Sequence, residues 1–160
     1  MKPLKKVKEL LDKLSECDNP NEDIEFELRR QAKFSRAYRI NCTGDVCAGD
    51  EIVFVRRRWG AYRLNGKTPF LCYQIVEGKV VKESYGRQMQ QHTFTIETKD
   101  GMLRIKGRNL YAIGVWRRPW KDENARKKVL EEKHARGDKA RMARLRRIAA
   151  KINDDFDVYI

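Results

Sequence analysis

Asp100-Gly101 sits between two alternating runs, with Phe94 and Ile96 on one side and Leu103 and Ile105 on the other. Asp-Gly supplies the backbone conformation that a tight two-residue turn needs, so the pattern predicts a hairpin from His92 to Ile105. A hairpin in mid-chain commits this region to an antiparallel sheet. Further strand signals surround it. Gly49-Asp50 reads as a turn, and Ile52 to Val55 is a compact β-branched and aromatic run. Tyr73 to Tyr85 carries Ile75, Val76, Val80 and Val81, and Gly78 in its middle predicts a bend or bulge. Gly107 to Tyr111 is short enough for one 3₁₀ turn before a last strand from Ala112 to Trp116.

Helical patterns flank this centre. Leu4, Val7, Leu11 and Leu14 recur at helical spacing, widened by Leu10, with Pro3 in a first-turn position and Asn19-Pro20 as the stop. Ile24, Leu28 and Ala32 repeat every four residues and favour a second helix, although Ile24, Phe26 and Leu28 also alternate as a strand does. Tyr38, Ile40 and Cys42 lead in as an extended segment. Beyond Pro119-Trp120, Asp122 to Arg136 is rich in helix formers, Gly137 reads as a stop, and Asp138 caps a further helix with Met142, Leu145, Ile148 and Ile152 as its apolar stripe. The expected class is α+β, divided into a helical segment 1–33, a β region 34–120 and a basic helical extension 121–160 with an acidic tail. The strand order over Gly49 to Trp116 resembles that of the SH3-like small barrel, a resemblance of topology without a diagnostic motif, and fold alone does not give function.

The 160 residues suit one domain, and 36 Lys and Arg against 23 Asp and Glu leave a net charge of +13. Charged residues make up 37% of the chain and its mean hydropathy is -0.78, with no apolar run near the ~18 residues of a spanning helix. An integral membrane protein is excluded on that pattern. Met1 to Lys8 lacks the features of a secretory signal, so a cytoplasmic protein is expected. The central segment holds 16 basic and 7 acidic residues, against 8 and 8 in the first segment and 12 and 8 in the last. A polyanion, DNA or RNA, is the partner this charge implies.

Arg56-Arg57-Arg58-Trp59 together with Tyr62, Arg63 and Lys67 reads as a basic loop interleaved with aromatics, since guanidinium binds phosphate and an exposed ring stacks on an unpaired base. The alternative is that the rings cover the core and the arginines are merely solvated. Arg87, Gln88 and Gln90 form a polar loop whose side chains suit base edges. Arg117 and Arg118, and Arg141, Arg144 and Arg147 on the last helix, are further phosphate contacts.

Cys42 and Cys47, with distant Cys17 and Cys72, match the two compact ligand pairs of structural zinc poorly and read as reduced buried thiols, so no metal or cofactor is expected. Neither a phosphate-cradling glycine loop nor a nucleophile elbow is present, and no catalytic residue is expected. Asp45, Asp50 and Glu51 are the one cluster able to suggest a magnesium-dependent nuclease, although Asp45 and Asp50 also suit local turns. The segments Ser84-Tyr85-Gly86, Gln90 to Thr95, Lys106 to Tyr111 and Glu132 to Asp138 resemble small uncharacterised proteins of phages and mobile elements. That resemblance implies a genetic setting and no mechanism. The expectation is a non-enzymatic nucleic-acid-binding protein; the rival is a phage factor docking on a host protein or nucleoprotein machine.

Overall fold

The computed structural model describes residues 1–85 and 92–157. Two short helices, α1 (Lys5–Ser15) and α2 (Glu22–Arg29), precede strand β1 (Ile40–Asn41). Strands β2 (Glu51–Trp59), β3 (Phe70–Tyr85), β4 (His92–Thr98) and β5 (Gly101–Lys106) follow, then a single turn α3 (Gly107–Leu110), strand β6 (Val115–Arg117) and a long helix α4 (Glu123–Asp157). All pairings are antiparallel, in the order β1-β6-β2-β3-β4-β5. The class is α+β, with a six-stranded antiparallel sheet and four helices among the described residues.

Both faces of β2 are buried, and this organises the molecule. Ile52 and Phe54 join Val76, Val80, Phe94, Ile96, Ile105, Leu110 and Val115 in one core. Val53 and Val55 join Val7, Leu10, Leu14, Leu28, Phe34, Ile113 and Trp116 in a second core, where α1 and α2 cover the sheet. At 25 cal/mol per Å² of apolar area, each large side chain buried here contributes about 1.5–3 kcal/mol. The start of α2 is fixed by Asn21, whose Oδ1 accepts from the Ile24 amide at 3.1 Å, and by acidic residues in the first turn that suit the positive helix end.

The hairpin forms where Asp100-Gly101 places it, with Gly101 at φ +118°. Gly78 lies where β3 crosses β4 closely: a Cβ there would meet the Glu97 carbonyl oxygen and Ile96 Cγ2, each at 2.6 Å. The register shift itself falls two residues on, between Val80 and Lys82.

Four expectations change. The strand beginning at Ile52 runs on to Trp59, so Arg56 to Trp59 belong to β2 rather than to a loop. β6 keeps only Val115–Arg117 of the run from Ala112. The turn at Gly107 is α-helical rather than 3₁₀. The two C-terminal helices are one, because α4 passes through Gly137 without interruption; a mid-helix glycine costs only about 1 kcal/mol, less than the helix formers around it return. The Met142, Leu145, Ile148 and Ile152 stripe does not pack on the sheet, and all four are exposed. No described helix is long and apolar enough to cross a membrane.

Candidate nucleic-acid interface

Along the far half of β2 the side chains alternate, which splits the three arginines. Arg56 is half-buried and its Nε donates to Gln74 Oε1 on β3 at 2.9 Å. Burial and the neighbouring Arg58 charge both press its pKa below the usual arginine value. Arg57 points to the other face, where its Nε donates to Glu25 Oε2 at 3.0 Å and its Nη2 pairs with Glu25 Oε1. Glu25 is buried, and it also accepts from the Tyr73 hydroxyl at 2.7 Å. Burial and that carboxylate push the Tyr73 hydroxyl up to about 12. Arg57 therefore fastens α2 to the sheet. Arg58 is exposed, and Trp59, which meets Phe70 edge-on at 5.6 Å, keeps 48% of its surface open.

The hairpin end supplies the opposite wall. Arg104 and Lys106 stand exposed on β5, and Arg108 and Asn109 follow on α3. With Arg56, Arg57 and Trp59 they line a cleft of about 370 Å³ floored by Ile105 and Ala112. Its five cations, Arg56, Arg57, Arg104, Lys106 and Arg108, are accompanied by no carboxylate among the described lining residues. A larger cavity of about 790 Å³ is different, lined by Glu51, Glu77, Glu97 and Asp100 as well as by Arg56, Lys79, Lys99 and Arg118. Arg104, Lys106 and Arg108 were outside the sequence expectation. Their signal is nonetheless in the chain, as a basic residue at every second position from 104 to 108.

The other expected contacts scatter. Tyr62, Arg63 and Lys67 are exposed in the connection from β2 to β3 and do not line the cleft. That connection is closed by an Arg63 amide bond to the Lys67 carbonyl at 3.1 Å and by Gly66 at φ +78°. Arg87, Gln88 and Gln90 lie outside the described residues. Arg117 is buried, and its Nη1 donates to both oxygens of Glu123, at 3.1 and 3.3 Å. It joins β6 to the start of α4. Arg118 pairs with Glu51 at 3.4 Å and lies over the Tyr38 ring, at the opposite end of β2 from the cleft. On α4, Arg141 pairs with Asp138, Arg144 is exposed, and Arg147 is half-buried with Nη2 lacking a hydrogen-bond partner among the described residues. These helix arginines form a surface separate from the cleft.

The carboxylates offered for magnesium do not converge. Asp50 is fully buried and accepts from the Cys47 amide at 3.0 Å, Trp120 Nε1 at 2.7 Å, and Arg126 Nε and Nη2 at 2.8 and 3.0 Å. Burial alone would depress the Arg126 guanidinium; the hydrogen bond and charge of Asp50 hold its pKa above the usual value instead. Asp45 and Glu51 point to solvent. Asp50 thus anchors α4 rather than a metal ion. Cys42 and Cys47 are buried free thiols, each pushed up to about 12, first by burial and then by the Asp50 charge. No group of three or more metal-ligating side chains gathers among the described residues.

Residues 42–120, strands β2 to β6 with the inner core, match the family model described as "Domain of unknown function (DUF7699)". The chain is also similar to a rice protein named "Zinc finger CCCH domain-containing protein 62", from Oryza sativa subsp. japonica, at 42% identity over 147 residues, which cover 82% of this chain. It spans only 21% of that protein's length. This match corrects the phage and mobile-element resemblance, because identity sustained over 147 residues outweighs a few shared short segments. The described residues do not supply the four-ligand set of a structural zinc site: the thiols are dispersed, and no three metal-ligating side chains gather among them. No solved structure matches the chain.

Proposed function

We propose that this chain is a non-enzymatic nucleic-acid-binding module whose principal contact is the cleft between the end of β2 and the β5–α3 corner. The observation that carries the reading is the lining, with four cations (Arg56, Arg104, Lys106, Arg108) beyond Arg57, which Glu25 holds, together with an open Trp59 face and no described carboxylate in one small concavity. Arg104, Lys106 and Arg108 engage phosphates, and Trp59 stacks on an unpaired base, which favours single strands. The basic face of α4 at Arg144 and Lys151 adds phosphate contacts without sequence choice. Neither cofactor nor covalent step enters this reading. Free thiols throughout support a reducing, cytoplasmic setting. The sheet is best read as an SH3-like barrel, a reading supported by the β6-β2-β3-β4-β5 order, by the one-turn α3 before the last strand and by the core enclosed on the inner face.

The test is a salt titration of binding to a single-stranded oligonucleotide. Each lost phosphate contact removes about 0.7 from the slope of log K against log salt on single strands, so Arg104→Ala, Lys106→Ala and Arg108→Ala together lower it by roughly 2. Trp59→Ala weakens single-strand binding by about 1–3 kcal/mol per stacked base and leaves duplex binding near its starting value. A slope already near zero in the parent protein, or one untouched by the triple substitution, defeats the reading.

A further inference from the structure

The distal half of α4 carries two different faces. Arg126, Lys133 and Ala140, spaced by seven, are the positions of the helix turned into the body. Arg126 is held by Asp50, and Lys133 by the Val46 carbonyl and by Glu83 at 3.8 Å. The same face continues through Arg144, Arg147 and Lys151. Beside it, Met142, Leu145, Ile148 and Ile152 are 52%, 58%, 47% and 62% exposed. Monomers scatter exposed apolar side chains singly, so four in line mark a contact surface. Met142, Leu145, Ala149 and Ile152 follow the three-four-three spacing of a helix-pairing seam.

We infer that this seam docks an acidic amphipathic helix of a partner protein. Charge selects that occupant. Between Ala135 and Ile152 there are seven basic residues (Arg136, Lys139, Arg141, Arg144, Arg146, Arg147, Lys151) and one acidic residue, Asp138. A second copy of α4 in parallel would set these arginines against their own kind, and like charges across an interface cost several kcal/mol. Nucleic acid makes use of the arginines but not of four aliphatic side chains. An anionic membrane selects a broad apolar face with Trp or Phe, whereas the described seam is narrow and aliphatic. An acidic helix satisfies both parts at once, with its apolar edge on the seam and its carboxylates on the flanking arginines. This inference is independent of the cleft.

The experiment uses the whole chain and two labelled three-heptad peptides with leucine at the seam positions, one flanked by glutamate and one by lysine. In fluorescence anisotropy near 0.1 M salt, the glutamate peptide binds at least ~10-fold more tightly than the lysine peptide. Leu145→Gln with Ile152→Gln, which keeps charge and helix propensity and alters side chains already exposed, weakens that binding by at least ~10-fold with an unchanged circular dichroism spectrum. The same variant keeps its affinity for a single-stranded oligonucleotide. The inference fails if the two peptides bind alike, or if the variant binds the glutamate peptide as well as the parent does. It also fails if the seam proves to drive self-association of the free chain or binding to phosphatidylserine vesicles.

Discussion

At the start of β2, Asp50 is wholly buried and every charge near it is answered, with Arg126 on one side and the Trp120 indole and Cys47 amide on the other. At the far end of the same strand Arg56 and Trp59 face the cations of β5 and α3 across an open cleft, and the carboxylate of Glu25 is taken up by Arg57 and Tyr73. One strand thus carries arginine chemistry of two kinds. Where an acid waits, as buried Asp50 and Glu25 do and as exposed Glu123 does for buried Arg117, arginine becomes a fastener between helix and sheet. Where none does, arginine stays available to a polyanion. The net charge of +13 counts both kinds equally and so overstates the binding surface.

Substitutions at the two ends should separate these roles. The largest effect is expected from Asp50→Ala, which leaves the Arg126 guanidinium buried without its partner. Breaking a buried pair from one side costs about 3–5 kcal/mol, to be read from urea unfolding. A loss below 1 kcal/mol would show that α4 is held by something else. Arg57→Met comes next, since it deprives buried Glu25 of its main cation while the Tyr73 hydroxyl still donates. A loss of about 2 kcal/mol is expected, with single-strand affinity reduced by no more than one phosphate contact. Should Arg57→Met instead remove most of the binding and none of the stability, Arg57 would have to be moved to the contact surface.

The smallest effect is a pH dependence. Cys42 and Cys47 titrate near 12 in the folded chain against an ordinary thiol value of 9.0. Unfolded thiols ionise first, so the contribution of the neutral buried thiols is full below pH 9 and is lost as pH rises from there toward 12. Alkylation by iodoacetamide at pH 8 checks the placement directly, because exposed Cys72 and half-buried Cys17 should react first. Rapid labelling of all four would contradict the buried core around Cys42.

Local signals placed most of the sheet. The Asp100-Gly101 turn, the Ile52 run and the Gly78 crossing are written in neighbouring residues, and the hairpin and long β3 lie where those residues put them. What escaped depends on distant partners. Arg56 to Trp59 lack apolar alternation, and they extend β2 because Gln74 receives Arg56 across the sheet and Glu25, 32 positions away, receives Arg57. Gly137 carries the mark of a helix stop, but Ala135-Arg136 before it and Lys139-Ala140-Arg141 after Asp138 are strong helix formers, and α4 continues through it. The cleft was half legible: Arg56 and Trp59 were singled out, whereas the alternating cations at 104, 106 and 108 passed as strand surface because only the fold brings that corner opposite β2.

The double burial of β2 also sets where this unit can be cut. The family match begins at Cys42, so it leaves out α1, α2 and Phe34, which cover Val53, Val55, Ile113 and Trp116. A fragment excised at that boundary would expose four large core side chains and lose the carboxylate that holds Arg57. The two cores share one strand as their common wall, so they are expected to melt together, and a fragment that keeps both must retain α1 and the Leu4 amide bonded to the Phe34 carbonyl at 2.9 Å.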